Sequence, residues 1–261
     1  MRKTQVTLDL LASRFPILLL VFARFSGLFA SAPVFSSRYI PAQVKAMAVG
    51  FLSVFTMPFV GNAAVPDSLV GLAMYAVNEL AVGLAIGYVA GAVLSAVQIA
   101  GQLIDTELGF GMVNVLDPQY GLPVPMFGNF YYLTALMLLI GWGGDRTIIS
   151  ALVRSYGDIP VGAAVRAPGP AFPATLISGV FLAALRISAP LLGALFMVTL
   201  ALGAVARTVP QMNVFMVGLP VKIVVGLVIL AATFPVFGVL VESLVDDMAR
   251  GMATISGMLA R

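Results

Sequence analysis

The chain alternates long apolar runs with a small number of sharp interruptions. Leu80–Ile104, Met126–Gly144, Ile187–Ala206 and Ile223–Val241 carry no charged residue, and each is close to the roughly 20 residues an α-helix needs to cross a bilayer. Read in order, the pattern predicts a first segment from about Leu10 to Phe35, a second from Val44 to Val60, a third from Ser68 to Ile104, a fourth from Asn129 to Gly141 and a fifth from Phe172 to Ala206. The run that begins near Ile223 follows, and a tail from Glu242 to Arg261 reads as a partly amphipathic helix outside the hydrocarbon. The pattern predicts an all-α, multi-helix integral membrane protein with long, broken helices and hairpins.

The interruptions set finer expectations. Pro16 suits the first turn of segment one, where a missing N–H is harmless. Arg186 and Pro190 divide segment five into two half-segments or a hairpin, and Pro210 forces a break before Pro220 and Lys222. Trp142 looks like an interfacial anchor. Residues 147–173 read as a short amphipathic helix followed by an irregular, exposed connection; Arg146, Arg154 and Arg166 against Asp158 favour the cytoplasmic side, and simple solvation explains them equally well. In segment three, Gly83, Gly87 and Gly91 share one helical face and permit close backbone approach. Ordinary helix packing is the better reading of that stripe, and docking of a partner subunit is the functional one.

Residues 101–128, GQLIDTELGFGMVNVLDPQYGLPVPMFG, are the unusual stretch. Repeated Gly and Pro oppose a regular helix, yet Phe110, Met112, Val113, Val115, Leu116 and Tyr120 make it too apolar for an ordinary wet loop. Irregular backbone at membrane depth is tolerated where it is buried in protein or lines a cavity. Two readings stand: a loop that fills a pore or clamps a subunit interface, and a hydrophobic connection lying at the membrane surface.

Composition narrows the class. The sequence of 261 residues is 61% hydrophobic and 10% charged, with a mean hydropathy of +1.06, which places it among membrane proteins. The formal charge of +3 comes without a dense basic run, so nucleic-acid binding is not indicated. Cys and His are absent, which removes disulfides, thiol catalysis and the commonest metal ligand and proton shuttle. The positive Met1-Arg2-Lys3 start and the run Phe15–Ala23 make a poor signal peptide, because apolar sequence continues past Arg24. A retained first span is expected.

No catalytic constellation emerges. Asp105 and Glu107 are two apart and do not share a helical face. The glycines at 109–111 and 141–144 lack the Lys-Ser/Thr end of a phosphate cradle. Neither enzyme activity, a cofactor nor a metal is expected. Glu79, Arg207 and Lys222 remain as charges among apolar residues. They suit an ion path or buried pairs that fix partner geometry. A charge in hydrocarbon costs at least about 2.5 kcal/mol at mid-depth, so satisfaction by a neighbouring subunit is the favoured account. A secondary transporter with broken helices stays as an alternative, weakened by the absence of a repeated pattern of breaks in the two halves.

Several of these stretches carry a resemblance. Phe22-Ala23-Arg24, Ala32-Pro33-Val34-Phe35, Arg38-Tyr39-Ile40-Pro41 with Val44-Lys45, the block from Asp105 to Asp117-Pro118, and the run ARTVPQMNVFMVGLPVKIVVG from Ala206 to Gly226 occur in an order and spacing that resembles the FliR family. That family consists of flagellar export-gate components, and its relatives include the corresponding subunit of virulence type III injectisomes. The resemblance covers essentially the whole chain. It implies a core gate subunit of the bacterial inner membrane, within the flagellar basal body, similar in fold to a FliP-like unit (1–170, including a plug loop at 106–123) fused to a FliQ-like hairpin (171–261). The implied partners are FliP-like and FliQ-like subunits in a ring, FlhB-like and FlhA-like membrane proteins, and unfolded rod, hook and filament proteins as cargo. It further implies a channel plug made of Gly109, Phe110, Gly111, Met112, Val113, Asn114, Val115, Leu116, Asp117 and Pro118. Arg24, Arg38, Glu79, Arg207, Gln211, Asn213 and Lys222 are expected at subunit contacts. An injectisome gate subunit shares the mechanism and differs in cargo.

Overall fold

The computed structural model describes residues 2–38, 40–61, 66, 68–110, 125–209, 211 and 213–260. Among the described residues the regular elements are helical: α1 (Arg2–Ser31), α2 (Ala42–Thr56) with a 3₁₀ turn at Met57–Phe59, α3 (Leu69–Leu108), α4 (Met126–Gly141), α5 (Gly144–Asp158), α6 (Ala171–Thr208) and α7 (Val214–Leu259). Among the described residues, five helices are long and apolar enough to cross a membrane. A sixth crossing is available if α4 and α5, bent by 67° where they meet, act as one.

Three expectations change. α1 begins at Arg2, so Pro16 lies inside it rather than in its first turn. α6 runs unbroken through Arg186 and Pro190, and α7 is one helix of 46 residues that carries Pro220, Pro235 and the tail as far as Leu259. The reason is common to all three. A proline in a helix removes one hydrogen bond and crowds one carbonyl, at about 3 kcal/mol. In a long apolar helix no water competes for the remaining backbone groups, so the helix bears the defect. Hydroxyls in these helices are satisfied in the same local way. Ser53, Thr134, Ser188, Thr199 and Thr233 each donate to the carbonyl four residues earlier, at 2.6–2.9 Å.

The chain divides into two compact units. The first comprises residues 1–93, 143–176 and 246–261, and the second residues 94–142 and 177–245. α3 and α7 each contribute to both. In the first unit, the glycine stripe of α3 meets α1 backbone to backbone. A Cβ on Gly83 would run into the Arg24 carbonyl, one on Gly87 into Ser31, and one on Gly27 of α1 into the Leu80 carbonyl. The Ser31 hydroxyl bridges to the Leu84 carbonyl at 3.1 Å. Gly83 and Gly87 are therefore used by this chain's own helices, which decides against the partner-docking reading for these two.

In the second unit, one face of α6 is buried through Ala184, Ile187, Ser188, Leu191 and Leu195, the spacing of a single helical stripe. Phe237 and Val241 of α7 are buried as well, and the Phe237 ring meets Tyr131 of α4 edge-on at 4.7 Å. Further along α7, Leu244, Met248, Met252, Ile255 and Leu259 are buried too, but the most apolar stretches of α6 and α7 are largely exposed. Only 11% of each apolar window is buried, against 50% for α3.

Candidate functional site

Two polar constellations stand out from the apolar background, one in each unit. In the first unit, Arg24 of α1 is fully buried and its guanidinium is used on every side. Nε donates to Glu79 Oε2 of α3 at 2.5 Å, one terminal nitrogen donates to Ser155 Oγ at 3.1 Å, and the other donates to the Ile159 carbonyl at 2.9 Å. The Tyr156 ring lies against the guanidinium, 4.1 Å from its carbon to the ring centroid. Glu79 is also buried; its second oxygen accepts the Gly162 N–H at 3.0 Å. Gly162 has φ +81°, a left-handed conformation that glycine adopts without a Cβ penalty.

The planar, five-donor guanidinium explains why arginine stands here, since a lysine has no fork to serve three acceptors. The cluster ties α1, α3, α5 and the turn after α5 together. Arg24 and Glu79 were expected at subunit contacts because an unpaired charge is costly in lipid; the structure satisfies both within this chain. Sequence reasoning missed Ser155, Tyr156 and Gly162. It also read residues after α5 as exposed, whereas Ile159 and Val161 are buried. The apolar Ile159 and Val161 flanking Pro160 were the available signal.

The second constellation lies where α3 ends and α4 begins. Asp105 is buried and its carboxylate accepts two backbone N–H groups, from Phe127 at 3.0 Å and from Gly128 at 2.9 Å. α4 is preceded by Pro125, which offers no capping side chain. Asp105 supplies that function from another helix, placing a negative charge at a helix N-terminus. Two residues on, Glu107 pairs loosely with Lys222 of α7 at 3.8 Å, and Lys222 Nζ also donates to the Glu107 carbonyl at 3.3 Å. Beside them is an apolar cavity of about 420 Å³, whose lining includes Leu108, Gly109, Leu202, Leu219 and Lys222.

Of the plug residues, Gly109 and Phe110 are described. Gly109 has φ +86°, and Phe110 stacks obliquely on Phe127 with ring centroids 5.8 Å apart. Gly111, Met112, Val113, Asn114, Val115, Leu116, Asp117 and Pro118 lie outside the described residues. Arg38, Arg207, Gln211 and Asn213 are exposed. Arg207 sits in the last turn of α6, where a cation is favoured. Asn213 precedes α7, and its side-chain oxygen accepts the Met216 N–H at 3.4 Å. No group of three or more metal-ligating side chains occurs among the described residues.

Long apolar helices, their inward small-residue faces and buried charges satisfied by hydrogen bonds define an all-α, multi-helix membrane protein. Comparison with known proteins identifies which kind. The family described as bacterial export proteins, family 1, matches residues 15–248, and the chain belongs to it. The chain is 37% identical to the flagellar biosynthetic protein FliR of Bacillus subtilis, covering 94% of this chain and 97% of that protein. It is 28% identical to FliR of Escherichia coli over 89% of each. It is also 28% identical to Yop proteins translocation protein T of Yersinia pestis, over 78% of this chain and 80% of that one.

Proposed function

We propose that this chain is a core subunit of a flagellar type III protein export gate, forming the export channel with FliP-like and FliQ-like subunits. The observation that carries the reading is the likeness to a flagellar biosynthetic protein along nearly the full length of both chains. The geometry agrees in kind. The most apolar windows of α6 and α7 are only 11% buried; Arg207, Gln211 and Asn213 lie where α6 ends and α7 begins, and Lys222 lies within the first turns of α7. Such surfaces suit helix neighbours that bring acceptors to those charges.

In this reading the first part of the chain, 1–170, corresponds to a FliP-like unit and 171–261 to a FliQ-like hairpin. Residues 109–118 plug the closed channel. Apolar side chains such as Phe110 and Met112 keep the constriction dry and offer no hydrogen bonds to a passing chain. The cargo is unfolded rod, hook and filament protein, and FlhB-like and FlhA-like membrane proteins complete the inner-membrane apparatus of the basal body. Arg38, Arg207, Gln211, Asn213 and Lys222 contact other subunits. Arg24 and Glu79 act on assembly by holding the shape of the first unit. The subunit carries out no chemistry of its own.

Copurification from membranes tests the reading. A stoichiometric complex with several copies of two smaller hydrophobic subunits is expected, and loss of the gene should abolish motility and the export of hook and filament proteins. The likeness to the Yersinia translocation protein supports a second reading, an injectisome gate subunit. Loss of virulence-protein secretion with motility intact would select it. Specific solute transport by the isolated, reconstituted chain would overturn both.

A further inference from the structure

The contacts around Asp105 form a ladder along the facing ends of α3 and α4. At the lowest rung Gly101 lies against Gly128, so close that a Cβ on Gly101 would stand 2.7 Å from the Gly128 nitrogen and 2.8 Å from the Phe127 carbonyl oxygen. One turn further along, the Asp105 carboxylate accepts the Phe127 and Gly128 N–H groups. Above that, Phe110 meets Phe127. Asp105 takes part in no ion pair among the described residues. Among the described residues its charge is met by the helix N-terminus. A buried carboxylate with both oxygens committed to two successive N–H groups fixes the start of α4 in distance and rotation, as a single hydroxyl would not.

We propose that Asp105 is a positioning residue of the export gate: its carboxylate clasps α4 to α3 and so fixes the point from which the plug segment leaves and returns. The clasp itself consists of Gly101, Asp105, Phe110, Phe127 and Gly128. The proposal rests on the plug reading for its effect on leakage, and on geometry alone for the clasp. Asp105→Ala removes both acceptors. Asp105→Asn keeps one acceptor and turns an N–H₂ toward the other donor, so it behaves nearly as badly. Asp105→Glu retains two acceptor oxygens on a longer stem and restores most of the wild-type behaviour.

Thr106 and Met126 are exposed and the chain has no cysteine, so spin labels on T106C/M126C in the assembled gate report the separation directly. A narrow distance distribution is expected with Asp105 in place, a broad one in D105A and D105N, and a narrowed one in D105E. Ion leakage through vesicles carrying the gate should rise on the order of tenfold in D105A, as loss of a charge-assisted hydrogen bond implies, and fall back in D105E. An unchanged distance distribution in D105A overturns the clasp, whatever the leakage. A broadened distribution with a tight membrane, while deletion of residues 111–115 leaks, overturns its role in holding the plug. If that deletion is also tight, the plug reading fails, and the distance measurement alone decides the clasp. Should D105A fail to accumulate, Gly101→Ala leaves the carboxylate in place and forces α4 away from α3; it must broaden the same distribution, and failure to do so overturns the proposal.

Discussion

Replacing Arg24 by methionine removes the centre of the buried cluster in the first unit while keeping much of the side chain's bulk. Glu79 is then left buried, with the Gly162 N–H still donating to it, and the Ser155 hydroxyl and Ile159 carbonyl lose their donor. Breaking a buried pair from one side costs about 3–5 kcal/mol. The informative variant is the double replacement Arg24→Met/Glu79→Leu. Exchanging a buried pair for apolar residues is often neutral, or stabilising by about 1–4 kcal/mol. Here, however, the pair also serves two backbone groups, the Ile159 carbonyl and the Gly162 N–H. Orphaning each costs about 1–3 kcal/mol, or roughly 2–6 kcal/mol together. The double variant should therefore stay well below the wild type in stability, not return to it. Unfolding of the purified chain from mixed micelles by a denaturing detergent measures both. A double variant as stable as the wild type, or a single variant within about 1 kcal/mol of it, would refute the account given for this cluster.

Among the described residues the buried Tyr156 hydroxyl has no hydrogen-bond partner, so Tyr156→Phe should leave stability unchanged or raise it slightly, because the ring against Arg24 remains; a loss above about 1 kcal/mol in the same titration would show that the hydroxyl has a partner. Gly83→Val should push α1 from α3 and cost at least about 1–3 kcal/mol, measured as reduced steady-state level and earlier unfolding, whereas Gly193→Val, with open space around it, should have little effect on the isolated chain. Lys222→Met breaks a half-exposed contact with Glu107 that contributes at most about 1 kcal/mol. The purified chain should therefore remain folded, while recovery with its smaller partner subunits falls. Normal recovery would remove Lys222 from the list of assembly determinants.

The helical segments were legible because apolar run length reports spans directly. Segment two and the helix at 144–158 lie close to their expected places. Proline was the misleading residue. Pro16 and Pro190 look like boundaries in a sequence, but the penalty of one lost hydrogen bond is small beside that of exposing a turn of backbone to lipid. The polar positions divided by range. Asp105 and Glu107 stood out within an odd Gly/Pro-rich stretch, yet nothing local indicated that Asp105 caps a helix beginning twenty-one residues later. Arg24 and Glu79 were conspicuous as charges. Their pairing across 55 residues, and the share taken by Ser155 and Ile159, depend on how α1, α3 and α5 meet. A serine and a glycine carry no marking of their own, and the apolar Ile159 marks burial but not its partner.

The Arg24 cluster also fixes a timetable. Glu79 follows Arg24 by 55 residues and Ser155 by 131. At about 5–20 residues per second, the ribosome delivers Glu79 roughly 3–11 s after Arg24 and Ser155 roughly 7–26 s after it. During that interval the first helix carries a bare guanidinium, and hydrocarbon is a hostile place to leave it. Nascent α1 must therefore wait in a wet or sheltered compartment, inside the insertion machinery or at the headgroup layer, until its later-born companions arrive to draw it in.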